Sequence, residues 1–280
     1  MPARRLVTCL ATLLVTTGVV LALLAGPALA AGPAAGSTAC VPPPVAHRGA
    51  SAGAPENTRP AFARALAAGA RILEMDVRFT ADGVPVVLHD ATVARTTNGR
   101  GAVATMSLAT LRRLDAGSWF SRAYRGTTVP TLWEVLGDGK RYHASYLVEL
   151  KVVPTTEQLR RLLGRFNGLG VSDRVTVTSF HPEALSAVRA AQPTMRTALI
   201  DASTPRPPDA VLAMGTSYLP NVGAVTSDAV ARWRGAGISV YPWTVGRQAT
   251  WARLAADGVA AVITNRPAPY LDWARRVCAR

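Results

Sequence analysis

From residue 45 almost to its end the chain alternates short apolar runs of strand type with helix-type segments, and this rhythm restricts the fold more than any other feature. Strand candidates fall at residues 45–46, 72–77, 84–88, 146–150, 175–178, 197–200, 218–219, 238–241 and 261–263. Helical patterns lie between many of them, at 59–68, 156–166, 182–191, 227–236 and 248–256. Asn57-Thr58 before Pro60, and Ser227-Asp228, have the chemistry of helix starts. Repeated βα units imply a parallel sheet, because a strand returns to the same edge only through a crossover. About eight of them in one domain predicts an α/β (β/α)8 TIM barrel. An open doubly wound sheet should carry a glycine-rich phosphate turn after its first strand. His47-Arg48-Gly49 stands there instead.

Nine strand candidates are one too many for the barrel. Only six residues separate 77 from 84, too few for a helix, so that pair is either a hairpin through Ala81-Asp82-Gly83 or a tight crossover. Hairpin pairing is expected to set His89 opposite Glu74. Residues 90–144 interrupt the rhythm with Thr96-Thr97-Asn98-Gly99, a short helical stretch at 108–114 and Trp119-Phe120. They predict a small inserted subdomain on the loop face, within a barrel domain of residues 45–280.

The N-terminus reads as an export signal. Arg4 and Arg5 precede a mostly apolar run at 6–24, and Ala28-Leu29-Ala30 supplies a small-x-small cleavage site. The run approaches the length of a membrane span, but Gly26-Pro27 and the cleavage site favour a signal peptide over residues 1–30, with secretion after cleavage near Ala30. Cys9 precedes the apolar stretch, so a lipoprotein anchor fits poorly. Residues 31–44, rich in Ala, Gly, Ser and Pro, read as a linker. Loss of Arg4 and Arg5 takes the net charge from +14 to +12. The arginines are scattered, with no basic run interleaved with aromatics, so no nucleic-acid partner is expected. The charge suits an anionic small-molecule substrate and transient contact with an anionic cell-surface polymer or lipid. Nothing in the sequence assigns an oligomeric state. Cys40 and Cys278 remain near the two ends of the mature chain. First and last strands are neighbours in a closed barrel and disulfides persist outside cells, so the two are expected to pair.

Chemistry concentrates at a few strand ends. In Leu73-Glu74-Met75-Asp76-Val77 side chains alternate, so Glu74 and Asp76 share one face and the apolar residues the other. In Leu147-Val148-Glu149-Leu150-Lys151, Glu149 and Lys151 share a face likewise. A salt-bridged barrel interior accounts for either pair alone. Three inward carboxylates together form an oxygen-rich cage suited to one divalent cation, Ca2+ or Mg2+. His47 and His89 end strands on the face where barrel enzymes place catalysis, with Arg48 adjacent. Two histidines, a hard cation, Arg and Lys describe acid–base cleavage of a phosphate ester. His143 and His181 lack such company, and His181 before Pro182 reads as a helix opening.

The ordered motifs His47-Arg48-Gly49, Pro55-Glu56-Asn57-Thr58, Glu74-x-Asp76-Val77, Asp82-Gly83-x-Pro85-Val86-Val87-x-His89-Asp90, Arg95-Thr96-Thr97-Asn98-Gly99, Glu149-Leu150-Lys151 and Trp243-Thr244-Val245 resemble the glycerophosphodiester phosphodiesterases. The resemblance runs through Ile263-Thr264-Asn265-Arg266-Pro267, where Asn265 stands in place of the family's usual Asp. It implies a metal-dependent barrel that hydrolyses glycerophosphodiesters to sn-glycerol 3-phosphate and an alcohol. It makes His47 and His89 the general base and general acid, and Glu74, Asp76 and Glu149 the metal ligands. Arg48 and Lys151 would neutralise phosphate, and Trp243 would line the site. Asn265 is expected to lie outside the catalytic group. Two other readings compete: a phospholipase C- or D-like enzyme acting on intact or lyso-phospholipids, which needs an exposed apolar rim, and a non-catalytic binder of anionic cell-wall polymers.

Overall fold

A computed structural model describes residues 40–202 and 205–279, so the expected signal peptide at 1–30 and the linker at 31–39 lie outside the described residues. The elements run β1 (Pro44–His47), α1 (Arg59–Ala67), β2 (Ile72–Phe79), β3 (Pro85–Val87), α2 (Leu108–Leu111), α3 (Leu132–Lys140), β4 (Ser145–Leu150) and α4 (Thr156–Leu169). They continue as β5 (Val175–Ser179), α5 (Pro182–Ala191), β6 (Arg196–Asp201), α6 (Pro208–Leu212), β7 (Ser217–Pro220), α7 (Ser227–Gly235), β8 (Ser239–Val240), α8 (Gln248–Asp257), β9 (Val262–Thr264) and α9 (Pro267–Cys278).

Eight parallel strands follow the order β8-β7-β6-β5-β4-β2-β1-β9. The circle closes between its ends: Ala260 N–H donates to the Val240 carbonyl at 2.9 Å, and Ile263 N–H to the Pro242 carbonyl at 3.0 Å. This is the (β/α)8 barrel that the βα rhythm predicts. Its two apolar layers follow from strand alternation. Leu73, Met75, Val77, Tyr146, Val148 and Leu150 face the helices. Val45, Leu147, Ala198, Ile200, Leu219, Ala261 and Ile263 fill the interior as a separate cluster. Glu74 and Asp76 fall in the inward column of β2, and Glu149 in that of β4, above this apolar plug.

The supernumerary strand is β3, antiparallel to β2 and outside the barrel path. The connection is a hairpin, with Val77 paired to Val87 and Arg78 to Val86. Its register differs from the expected one by a residue. Thr80 N–H donates to the Val84 carbonyl at 3.0 Å, closing a loop of Ala81, Asp82 and Gly83, with Gly83 at φ 75°. A three-residue loop with a left-handed third residue shifts the pairing by one from a two- or four-residue turn. Leu88 N–H therefore donates to Asp76 O at 2.9 Å, and His89 falls level with Met75 instead of Glu74.

Within the expected insertion at 90–144, α3 belongs to the barrel. Its Leu132, Val135 and Leu136 join the main core, and it is the helix between β2 and β4. Thr131 and Glu134 start it with a reciprocal capping box. The stretch before it folds over a separate small cluster of Val86, Leu88, Val93, Val103, Leu111, Ala116 and Val129. At the other end of the barrel the expected linker tapers into structure. Pro44 begins β1, Val41 is buried with α8 and α9, and Tyr270 Oη donates to Pro42 O at 2.7 Å. Cys40 and Cys278 are disulfide-bonded, their Cα atoms 5.6 Å apart.

Candidate active site

Strand register assembles the site. His47 pairs with Glu74 across β1 and β2. Asp76 pairs with Glu149 across β2 and β4, and Thr178 follows on β5. His47, Glu74, Asp76 and Glu149 thus come together from three neighbouring strands, β1, β2 and β4. Each of Glu74, Asp76 and Glu149 offers an oxygen within 4.8 Å of the others, and all three residues are buried.

Two cations face this triad. Arg48 Nε lies 3.1 Å from Asp76 Oδ2, while Lys151 Nζ lies 2.5 Å from Glu149 Oε1 and 3.5 Å from Asp76 Oδ1. Asp76 is held below the usual carboxylate range: burial opposes ionisation, but Arg48 and Lys151 outweigh it. Glu74 is pushed well up, by burial first and then by the charges of Asp76 and Glu149. Glu149 is pushed up to about 7 by burial and Asp76, against the pull of Lys151. Three carboxylates against two cations leave an excess negative charge in a dry place. Asp76 Oδ1 is buried and accepts no hydrogen bond. A hard divalent cation supplies both what the charge balance and what that oxygen lack, so Glu74, Asp76 and Glu149 fit a metal ion.

The turn after β1 is shaped for this job. Arg48 sits at φ 55° and Gly49 at φ 82°. The Arg48 N–H thereby reaches Glu74 Oε2 at 2.9 Å, and its side chain turns back to Asp76. A Cβ on Gly49 would stand 2.6 Å from the Ala61 carbonyl carbon, so only glycine lets α1 approach. Asn57, at φ 58°, donates from Nδ2 to Asp76 Oδ2 at 2.7 Å, using the tolerance of Asn for left-handed backbone.

His47 and His89 face one cleft, shared with Arg48, Glu74, Glu149, Lys151 and Trp243. Their supports differ in charge. His47 Nδ1 lies 2.6 Å from the Asn265 amide oxygen, and burial together with Arg48 lowers its pKa to about 4. His89 Nδ1 lies 2.7 Å from the Asp90 carboxylate. Trp243 donates from Nε1 to Leu219 O at 2.8 Å and meets Phe180 edge-on at 5.7 Å. His143 and His181 are exposed and outside the cleft, and His181 occupies the position before the first turn of α5.

Sequence reasoning placed Asn265 outside the catalytic group, and the structure places it against His47. It also missed Asn57, Asp90 and the cleft's apolar wall of Phe180, Ile200, Leu219 and Ile263. Asp90 was findable, since it adjoins His89. Asn265 stands 218 residues from its partner, and only barrel closure between β9 and β1 joins them.

Inward carboxylates with His47 at the C-terminal end of β1 and His89 just beyond the β2–β3 hairpin mark a barrel enzyme with its site on the C-terminal face of the strands. Residues 47–269 match the model of the glycerophosphoryl diester phosphodiesterase family, and the chain belongs to that family. It is 33% identical over 237 residues to a glycerophosphodiester phosphodiesterase of Caldanaerobacter subterraneus subsp. tengcongensis, spanning 83% of this chain and 97% of that one. It is 36% identical over 247 residues to a glycerophosphodiester phosphodiesterase of Bacillus subtilis, spanning 80% of this chain and 83% of the relative. Among solved structures it resembles the glycerophosphodiester phosphodiesterase of Agrobacterium tumefaciens, with a TM-score of 0.73, 29% identity, and coverage of 82% and 99%. It also resembles an Oleispira antarctica phosphodiesterase in complex with the product sn-glycerol-3-phosphate, with a TM-score of 0.73, 26% identity, and coverage of 83% and 96%.

Proposed function

We propose that this protein is a secreted, metal-dependent phosphodiesterase that hydrolyses glycerophosphodiesters to sn-glycerol 3-phosphate and an alcohol. The observation that carries the reading is the unequal support of two histidines over one carboxylate triad. A neutral amide and a buried setting favour uncharged His47, whose Nδ1–H points at Asn265 and whose Nε2 keeps its lone pair for a general base. His89, its Nδ1 held by the Asp90 carboxylate at 2.7 Å, is the general acid that protonates the departing alkoxide. Arg48 and Lys151 offset phosphate charge, and Trp243 walls the cleft. Bound at Glu74, Asp76 and Glu149, Ca2+ or Mg2+ would supply Lewis-acid polarisation of a phosphoryl oxygen.

Export is supported by the basic start, the apolar run and Ala28-Leu29-Ala30, and it agrees with a disulfide between Cys40 and Cys278. N-terminal sequencing of protein recovered from the host's medium should begin near residue 31. The activity is tested by identifying the phosphate product across a panel of glycerophosphodiesters, with chelator and with each metal restored. Production of sn-glycerol 3-phosphate only with metal is the expected outcome. Release of phosphocholine from glycerophosphocholine, or turnover of lysophosphatidylcholine alone, would move the assignment to the phospholipase-like reading.

A further inference from the structure

Arg95, from the motif Arg95-Thr96-Thr97-Asn98-Gly99, and Glu56, from Pro55-Glu56-Asn57-Thr58, take no part in the reaction above, yet they meet. Arg95 donates from Nε to Asp90 Oδ2 at 2.7 Å and from Nη2 to Asp90 Oδ1 at 3.0 Å. The same guanidinium donates from Nη1 to Glu56 Oε2 at 3.0 Å and from Nη2 to Glu56 Oε1 at 2.7 Å. Both carboxylates are gripped by both oxygens, which only a planar fork can do. Beyond Asp90 stands His89. Beyond Glu56 stands Arg48, with Nη1 at 3.0 Å from Glu56 Oε1 and Nε against Asp76. The contacts form one chain, His89–Asp90–Arg95–Glu56–Arg48–Asp76. Glu56, Asp90 and Arg95 do not line the cleft that holds both histidines.

We infer that Arg95 is a positioning residue, locking the Asp90–His89 pair to the Glu56–Arg48 pair so that proton donor and phosphate-binding cation keep a fixed separation. The inference rests on His89 being the general acid. His47 gains its place from β1, a strand inside the barrel paired on both sides. His89 stands outside that frame. It follows β3, a three-residue strand off the barrel path that pairs with β2 and bridges to Thr131 on its other edge, and its side chain is 33% exposed. A hydrogen bond from Arg78 Nε to the His89 carbonyl at 2.8 Å steadies the backbone there, but the ring is aimed by Asp90. Without Arg95, the part-exposed Asp90 is free to turn to water and the imidazole to follow it. Misplacement of a proton donor by about 1 Å costs on the order of a hundredfold in rate. Glu56 keeps Arg48 as a partner when Arg95 is removed, so the truncated protein retains a satisfied carboxylate and should fold.

The test compares Arg95→Ala, Arg95→Lys and His89→Ala on glycerophosphocholine and on the p-nitrophenyl ester of glycerol 3-phosphate, at saturating metal. Nitrophenolate leaves without a proton, so a misplaced general acid matters only for the choline ester. Arg95→Ala should lose kcat on glycerophosphocholine by about tenfold to a hundredfold and much less on the nitrophenyl ester. Arg95→Lys should recover little, because an ammonium cannot hold two carboxylates bidentately. Melting temperatures of both variants should stay near wild type. If His89→Ala shows the leaving-group dependence and Arg95→Ala does not, the role given to Arg95 is wrong. Equal losses on both esters for Arg95→Ala, tracking a drop in melting temperature, would make it a structural residue only and likewise overturn the inference. If His89→Ala itself shows no leaving-group dependence, the acid assignment fails and the inference with it.

Discussion

Three buried carboxylates facing two cations place opposite demands on stability and on catalysis, and the conflict is measurable one residue at a time. Glu74 is raised well above its ordinary pKa and Glu149 to about 7. An unfolded chain releases both protons near pH about 4.3. Between there and about pH 7 the native state in chelator holds protons that the unfolded state has lost. For these two groups native binding exceeds unfolded binding, and together they outweigh the opposite contribution of His47, lowered to about 4 in the fold, so stability falls as pH rises through that window. Melts in chelator should therefore drop from pH 5 to 7.5, and Glu149→Gln should flatten the drop. Bound metal should remove it, because the cation stabilises the charged triad. Glu74→Gln and Glu149→Gln should both fold, melt at least as high as wild type in chelator, and fail to be activated by Ca2+ or Mg2+. Full activity of either variant in chelator would end the metal reading. At the same scale, His47→Ala should be damaged on alkyl and nitrophenyl esters alike, since a base is needed whatever leaves.

Elements carry these residues to one place, and here the sequence was readable in rhythm but not in detail. Alternation along β2 and β4 was legible because inward carboxylates interrupt apolar runs at a period of two. The supernumerary strand was legible too, since six residues cannot hold a crossover helix. The register of that hairpin was not, because it depends on whether the loop closes at Thr80 and Val84, a choice made by the left-handed Gly83. Helix α3 was absorbed into the expected insertion because its apolar face is short, although Thr131 and Glu134 marked its start. Partners such as Asn265 for His47 and Glu56 for Arg95 have no local signal, being joined only by folding. The β1–α1 turn shows how tightly an element constrains its site. Gly49→Ala puts a methyl against the Ala61 backbone at a positive φ, and no side-chain rotation relieves that contact. The substitution should cost about 1–3 kcal/mol of backbone strain and shift Arg48, whose N–H reaches Glu74 from the same turn. A lowered melting temperature with a raised KM is the expected result. A variant indistinguishable from wild type would mean that α1 yields more readily than its packing implies.

At the scale of the whole molecule the barrel must join its last strand to its first, and three contacts do this in different ways. The parallel pairing of β1 with β9 sets Val45 beside Ile263. The apolar seam of Val41, Trp251, Tyr270 and Trp273 buries the strap before β1, with Tyr270 bonded to Pro42. The Cys40–Cys278 disulfide then ties residues 238 apart in sequence. Cross-linking so long a loop removes chain entropy from the unfolded state worth roughly 5 kcal/mol at most, and measured bridges often deliver less. Because pairing and seam close the barrel without the bridge, reduced protein should remain folded at room temperature. It should melt several degrees lower, at about 2–4 °C per kcal/mol for a domain of this size. Neither cysteine lines the cleft, so kcat and KM at 25 °C should not change on reduction or in Cys278→Ser. The measurement is a pair of melts with and without reductant, beside thiol titration of the denatured, unreduced protein recovered from its native host. Two titratable thiols would remove the bridge from the native molecule. A reduced protein that loses activity at 25 °C would show instead that the seam cannot hold β1, and with it His47, without covalent help.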